Sequence, residues 1–320
     1  MKQLALLAVA AALLIPQVAL AQFSTYVASS GVNGNPCTRA QPCQTFQRAH
    51  DATNSGGVIT VVDPGDYGNV TITKSISIVA SGFPTGVGPG GGSISTPNIT
   101  INAGPSDVVL LRGLNVDGTS EVAGFGAITF HTGSKLLIHD CIVQNWLEGT
   151  GLGAILFTPS AASFLVVTGS IISNNFSGSS GSGILVRPSG SGNARVNIER
   201  TVVEGNGFGI VADGTGSSGG INMTIADSVA NNNINDGIIA TTPSGGAPIG
   251  ITITNTRSTN NGFGMRSFGT NVTVRADRST IIGNTTGLVA GSGGALLSAG
   301  TNVVEANGSN GAFSGAVSLK

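Results

Sequence analysis

The chain has 320 residues, of which 9% are charged and 5% aromatic, with 50 glycines, 12 prolines and a formal net charge of −1. So few charges and prolines exclude an open, disordered chain, and so little Lys, Glu and Arg excludes an ordinary helix-rich globule. Without a basic excess there is no electrostatic footprint for nucleic acid, since neutralising phosphates takes clustered Lys and Arg.

Met1 to Ala21 reads as a cleavable secretory signal. Lys2 supplies the basic start, Leu4 to Ile15 the apolar run, and Ala19-Leu20-Ala21 a small-x-small site ahead of Gln22. The run falls short of the roughly 20 residues a spanning helix needs, and no later segment approaches that length. The expectation is an exported chain, periplasmic or extracellular, with no membrane span after cleavage. Export permits disulfides. Cys37 and Cys43 lie close together in a loop that contains Pro36 and Pro42, and are expected to pair. Closing so small a loop restrains the unfolded chain by about 2 kcal/mol at most. Cys141 is left over and is expected to be buried.

From about Val58 onward the chain repeats in steps of about 23 to 31 residues, the range of stacked-repeat architectures. Val196 to Ile210 and Ile251 to Met265 share one grammar: an alternating apolar strand, a turn, a second short strand, an asparagine, then glycine and an apolar residue. The same order runs through Leu165 to Ile184, Met223 to Ile238, Val274 to Leu288 and, degenerately, Leu297 to Ala312. Leu110 to Ile128 and Leu136 to Ile155 fit with longer second turns.

Aligned, the units give columns. One is Ile138, Val167, Ile198, Ile225, Ile253, Ala276 and Ala299; three residues on stand Cys141, Ser170, Thr201, Ser228, Thr256, Ser279 and Asn302. Two further stand Val143, Ile172, Val203, Ala230, Ser258, Ile281 and Val304. Asparagine then recurs at Asn175, Asn206, Asn233, Asn261, Asn284 and Asn307, and glycine at Gly183, Gly209, Gly237, Gly264 and Gly287. Short strands of period two cannot bury a face alone, but stacked about 4.8 Å apart they pair with each other and align like side chains in ladders. Asparagine suits the turn column by tolerating left-handed backbone angles and by an amide that can bond its neighbours in adjacent coils, and glycine the next position by accepting positive φ. Asn206-Gly207 and Asn261-Gly262 look like hairpin turns in isolation, but their register across the units favours a solenoid. The predicted fold is all-β, a right-handed parallel β-helix of roughly nine to ten coils.

This grammar resembles the right-handed β-helix repeats of the pectin-lyase-like superfamily, from about Val58 to the C-terminus. Tyr26 to Gly31, Asn35-Pro36-Cys37, Pro42 to Ala49, Gly57 to Val61 and Pro64 to Gly68 resemble the opening of secreted bacterial β-helix proteins. That resemblance implies a short helix from Thr45 to Ala52 plugging the open end of the solenoid. It divides the mature chain into residues 22–57, a strand, disulfide loop and capping helix, and residues 58–320, the β-helix. Many proteins of that group have no assigned activity.

The connections read as follows. Ser81 to Ser95, with Gly86 to Gly92, is a glycine-rich loop that lacks the Gly-Lys-Ser/Thr of a phosphate loop. Gly178 to Gly183, Ser189 to Asn193, Gly214 to Gly220 and Ser244 to Gly246 read as protruding turns. Ala316 to Leu319 is placed to lay a closing strand over the last coil.

Chemistry is sparse. β-Helices that cut polyuronates need carboxylates grouped around calcium plus a basic residue, and hydrolytic ones need paired acids. The one charged stripe carries His139, Asp140, Glu199, Arg200, Asp227, Asp277 and Arg278, with Arg200 one coil from Asp227 and Asn255 one coil from Arg278. Its signs alternate, as a solvated surface ladder requires; a ligand or catalytic groove is the other reading. His50, His131 and His139 show no metal-ligand spacing, and neither cofactor nor metal is implied. Trp146, Tyr26 and Tyr67 are the only Trp and Tyr residues, and Phe130 and Phe157 fall in a core column with Val186, Ala212 and Ala240. An outward column, Ile142, Ile171, Val202 and Val229, continuing as Arg257, Thr280 and Val303, is an apolar strip suited to a partner or a second copy. The reading is a secreted non-catalytic β-helix scaffold, cell-surface, adhesive or glycan-associated, whose partner is polysaccharide or a cell-surface component. The alternative is a polysaccharide lyase or hydrolase of the pectin-lyase-like fold working through the charged stripe.

Overall fold

Alternation of apolar and polar residues turns directly into strands with two faces. In Ser163–Thr168 the side chains of Ser163, Leu165 and Val167 are buried, while Phe164, Val166 and Thr168 are half-buried on the other side. The computed structural model describes residues 22–80, 94–95, 98–118, 126–146, 153–175 and 181–318. The signal segment and residues 81–93 of the glycine-rich loop lie outside them.

Each winding of the chain adds one strand to each of three parallel sheets. Among the described residues these hold twelve, nine and eight strands, beside one two-stranded sheet. A representative winding runs from Asn193–Glu199 in the twelve-stranded (long) sheet to Val202–Glu204 in the eight-stranded one. It then passes to Phe208–Asp213 in the nine-stranded sheet and on to Gly220–Ala226, back in the long sheet. The result is a right-handed parallel β-helix of about nine turns with one short N-terminal helix.

The core follows the columns. Ile138, Val167, Ile198, Ile225, Ile253 and Ala276 are neighbours in register, all fully or almost fully buried. Burying an isoleucine contributes about 1.5–3 kcal/mol, and each ring of the solenoid contributes several such residues. The column continues to Ser298, not Ala299. The last corner carries one extra residue, with Gly300 in a left-handed conformation (φ 89°), which shifts the strand by one position. Phe130 stacks on Phe157 with ring centroids 4.6 Å apart, and Val186, Ala212 and Ala240 continue that column. The hydroxyl column ties the corners together. Ser170 accepts from the Cys141 N–H at 3.1 Å, Ser228 from Thr201 at 3.2 Å and Ser279 from Thr256 at 3.3 Å.

The asparagines form the expected ladder through their amides, not through left-handed backbone angles. The left-handed residue is the one before each: Asn174, Gly205, Asn232, Asn260, Gly283 and Ala306. The ladder residues from Asn175 to Asn284 are instead buried. Asn175 Oδ1 accepts the Trp146 N–H, and from Asn206 on each Oδ1 accepts both the backbone N–H and the Nδ2 of the asparagine one winding before, as Asn233 does from Asn206 at 3.1 and 3.2 Å. Asn310 Oδ1 closes the series on Asn307. The glycine column likewise does not use positive φ. A Cβ on Gly209 would lie 2.4 Å from the Gly237 carbonyl oxygen and 2.9 Å from Asn233 Nδ2, so glycine is there to let the windings close on the ladder.

At the N-terminal end, Gln22–Val27 pairs with Thr53–Val61 and edges the long sheet. Thr45 caps the helix Phe46–Ala52 by accepting the Arg48 N–H, and Phe46 packs on Tyr67 at 5.1 Å beneath it. Cys37 and Cys43 are joined, and Cys141 is a buried free thiol. Four expected turns are partly strand: Ile94–Ser95 pairs with Gly65–Asp66, Gly183 lies within Ser182–Val186, and Asn193 and Gly220 open the strands Asn193–Glu199 and Gly220–Ala226. Residues 176–180 are outside the described set. The closing strand is Gly315–Ala316, paired with Leu297 and Ser298. No described helix is long and apolar enough to cross a membrane.

Candidate functional site

The charged stripe occupies the corner between the long and the eight-stranded sheets, and its second positions are left-handed: Asp140, Arg200, Asp227, Asn255 and Arg278 have φ between 45° and 55°. The charges are spent locally. Arg112 pairs with Asp140 (3.4 Å), Arg200 with Glu199 of its own winding and Arg278 with Asp277 (3.3 Å), while Asn255 donates to Asp227 at 2.6 Å. Arg200 thus turns to Glu199, one residue away on the same rung, instead of crossing to Asp227. His139 is flanked in register by Arg112 and Thr168. Asp140 and Asp227 are separated by the windings of Gly169 and Arg200, and Glu199, beside Ala226 in register, is paired with Arg200, so no two carboxylates of the stripe are neighbours in register. Exposed pairs of this kind are worth about 0–1 kcal/mol each. Among the described residues no group of three or more His, Cys, Asp or Glu could hold a metal ion.

A second cluster, missed in the sequence, lies on the outward face of the long sheet. Lys135, Phe164 and Arg195 are consecutive in register, one per winding. Lys135 Nζ sits 4.8 Å from the centre of the Phe164 ring. Beside them Ser134, Ala162, Ser163 and Asn193 wall a hollow of about 540 Å³. Ser163 donates to the Gly133 carbonyl at 2.7 Å and Asn193 to that of Gly219 at 3.0 Å, which fixes both walls. Neither Lys135 nor Arg195 has a carboxylate partner among the described residues. Leu137 and Val166 extend the surface with apolar area. The column begins three residues ahead of the Ile138 column, so aligning the first outward position of each strand would have revealed it. Such a surface offers a carboxylate two cations and a sugar ring one aromatic face.

Other ionisable groups are structural. Asp236 is fully buried, and burial pushes its carboxyl up, opposed by the paired Arg266. The Arg266 guanidinium lies 4.1 Å from the ring centre of Phe263 and 5.5 Å from that of Phe268. Arg187 holds Asp213 at 2.8 Å. Burial pushes the Cys141 thiol up to about 12, and it donates to the Leu111 and His139 carbonyls, so it is no nucleophile at neutral pH. His50 is buried on the helix and His131 lies at the exposed end of Ile128–Thr132. Burial drives the Tyr67 hydroxyl far up, reinforced by the Asp63 carboxylate to which it donates. The apolar strip is in register from Ile142 through Ile171 and Val202 to Val229, half-buried except for Ile142, which is buried, and ends at Val303, 44% exposed.

No protein-family model matches the chain, and no curated protein matches it either. Among solved structures it is similar to pectate lyase Pel9A, with a TM-score of 0.55 and 17% identity over 92% of this chain and 78% of that one. What the two share is the fold, a parallel β-helix. A rhamnogalacturonan lyase also aligns, with a TM-score of 0.44 and 15% identity over 83% of this chain and 82% of that one. At these identities the likeness is one of fold alone.

Proposed function

We propose that the mature chain is an exported, non-catalytic β-helix scaffold that holds an acidic polysaccharide against its long sheet. The observation that carries this reading is Phe164 stacked in register between Lys135 and Arg195, two cations without carboxylate partners. The cations stand two strand spacings apart, about 10 Å, the reach of a disaccharide unit with its carboxylates. The test is binding of polygalacturonate and alginate to the chain from Gln22 onward, read by calorimetry at several salt concentrations. Affinity falls with salt, and Lys135→Ala/Arg195→Ala weakens it by roughly tenfold or more. Equal binding by wild type and double variant overturns the reading.

The fold shared with Pel9A supports a second reading, a polysaccharide lyase or hydrolase. The same polymers, incubated with and without calcium, separate the two. New unsaturated or reducing ends, lost in Arg200→Ala, Asp140→Asn or Arg195→Ala, favour the enzyme; binding without cleavage favours the scaffold.

A further inference from the structure

Another hollow, of about 480 Å³, opens where the nine-stranded sheet turns back towards the long sheet, nearer the C-terminus. Its volume is in the range of small-ligand sites. Phe268 forms its aromatic wall, and Thr241, Thr242, Ser244, Thr270 and Ser292 bring one hydroxyl each from three successive windings. None of these five hydroxyls has a hydrogen-bond partner among the described residues, and that of Thr242 is also buried. A buried hydroxyl without a partner is uncommon and calls for one.

The ring is held in place. Thr241, Phe268 and Gly291 are consecutive in register, and a Cβ on Gly291 would lie 2.4 Å from a Phe268 ring carbon, so the glycine lets the ring lie over the next winding. Phe268 remains half-exposed. The hollow's lining carries no charged side chain, and the nearby Arg266 is committed to Asp236. Hydroxyls that both donate and accept, grouped around one phenyl face, match a ligand with the same alternation of hydroxyls and C–H faces.

We propose that this hollow binds one neutral hexopyranose unit, stacked on Phe268 and hydrogen-bonded to the threonine and serine hydroxyls. The site is separate from the charged face and does not rest on it. Saturation-transfer NMR with the methyl glycosides of glucose, galactose and mannose tests it on the chain from Gln22 onward. At least one glycoside binds saturably. Phe268→Ala weakens it roughly tenfold, and Thr241→Val, a β-branched replacement that keeps the strand, weakens it about threefold. Lys135→Ala/Arg195→Ala leaves it unchanged, so either site can fail alone. No saturable signal from any of the three glycosides overturns the proposal, as does a signal that both Phe268→Ala and Thr241→Val leave intact.

Discussion

A ladder asparagine satisfies several backbone and side-chain groups at once. Asn233 accepts from Asn206 twice, and its Nδ2 donates to the Val203 carbonyl at 3.2 Å and to Asn261 Oδ1 at 3.0 Å. Asn233→Ala removes the partner of buried groups on both neighbouring windings. The expected loss is about 2–4 kcal/mol, since each buried unsatisfied group costs about 1–3 kcal/mol, visible as a lowered denaturation midpoint with the urea m-value unchanged. Glycines give a paired comparison. Gly209→Ala drives its Cβ into the Gly237 carbonyl and is expected to cost about 1–3 kcal/mol. Gly250→Ala meets nothing closer than Asn222 Oδ1 at 3.5 Å and should be near neutral. Equal effects of the two would remove the close-packing account. Both columns were visible in the sequence, and so was the amide bonding between coils; the cause of the glycine column was not, because neither φ nor the approach of the next winding is written in one strand's residues.

At the scale of elements, the capping helix is tied to the first turn through His50. Its Nε2 accepts the Thr73 N–H at 3.3 Å, which requires a neutral ring at that nitrogen. Burial lowers its pKa below 6.5, the nearby Lys74 adds to this, and the Asp51 carboxylate opposes it. A depressed histidine pKa means that the unfolded chain binds the proton more readily. The stability it contributes is therefore whole above pH 6.5 and declines as pH falls from there through the folded-state value. Hydrogen exchange in Phe46–Ala52 should accelerate between pH 7.5 and pH 5.5, after correction for the intrinsic rate, and His50→Gln should flatten that dependence. An unchanged profile in the variant would assign the effect elsewhere. This helix was legible in the sequence through the resemblance of Pro42 to Ala49 to the opening of secreted β-helix proteins. The Lys135–Phe164–Arg195 row was not legible there, because its three residues share no residue type that would mark them as a column.

On the scale of the molecule, the solenoid is quasi-one-dimensional: a winding touches only its neighbours, so stability is set by interfaces and by what closes the ends. The two ends differ. The N-terminal end has a helix, a disulfide loop and the six-residue edge strand Gln22–Val27 over it. The C-terminal end has the two-residue strand Gly315–Ala316, with Val303 exposed and Val304, Leu297 and Phe313 only partly covered. Opening should therefore begin at the C-terminus and run inwards, since the last winding has a neighbour on one side only and little apolar surface to lose. Amide exchange should be fastest across Val303–Glu305 and Ala295–Ser298, and slowest in Asn193–Glu199 and Gly220–Ala226, which are stacked on both sides. The hexopyranose hollow spans windings near the frayed end, so a bound methyl glycoside should slow exchange at Phe263–Phe268 and Thr286–Gly291 while leaving Lys135–His139 untouched. Polygalacturonate should do the reverse. Protection by both ligands over the same windings would mean a single continuous binding surface instead of two.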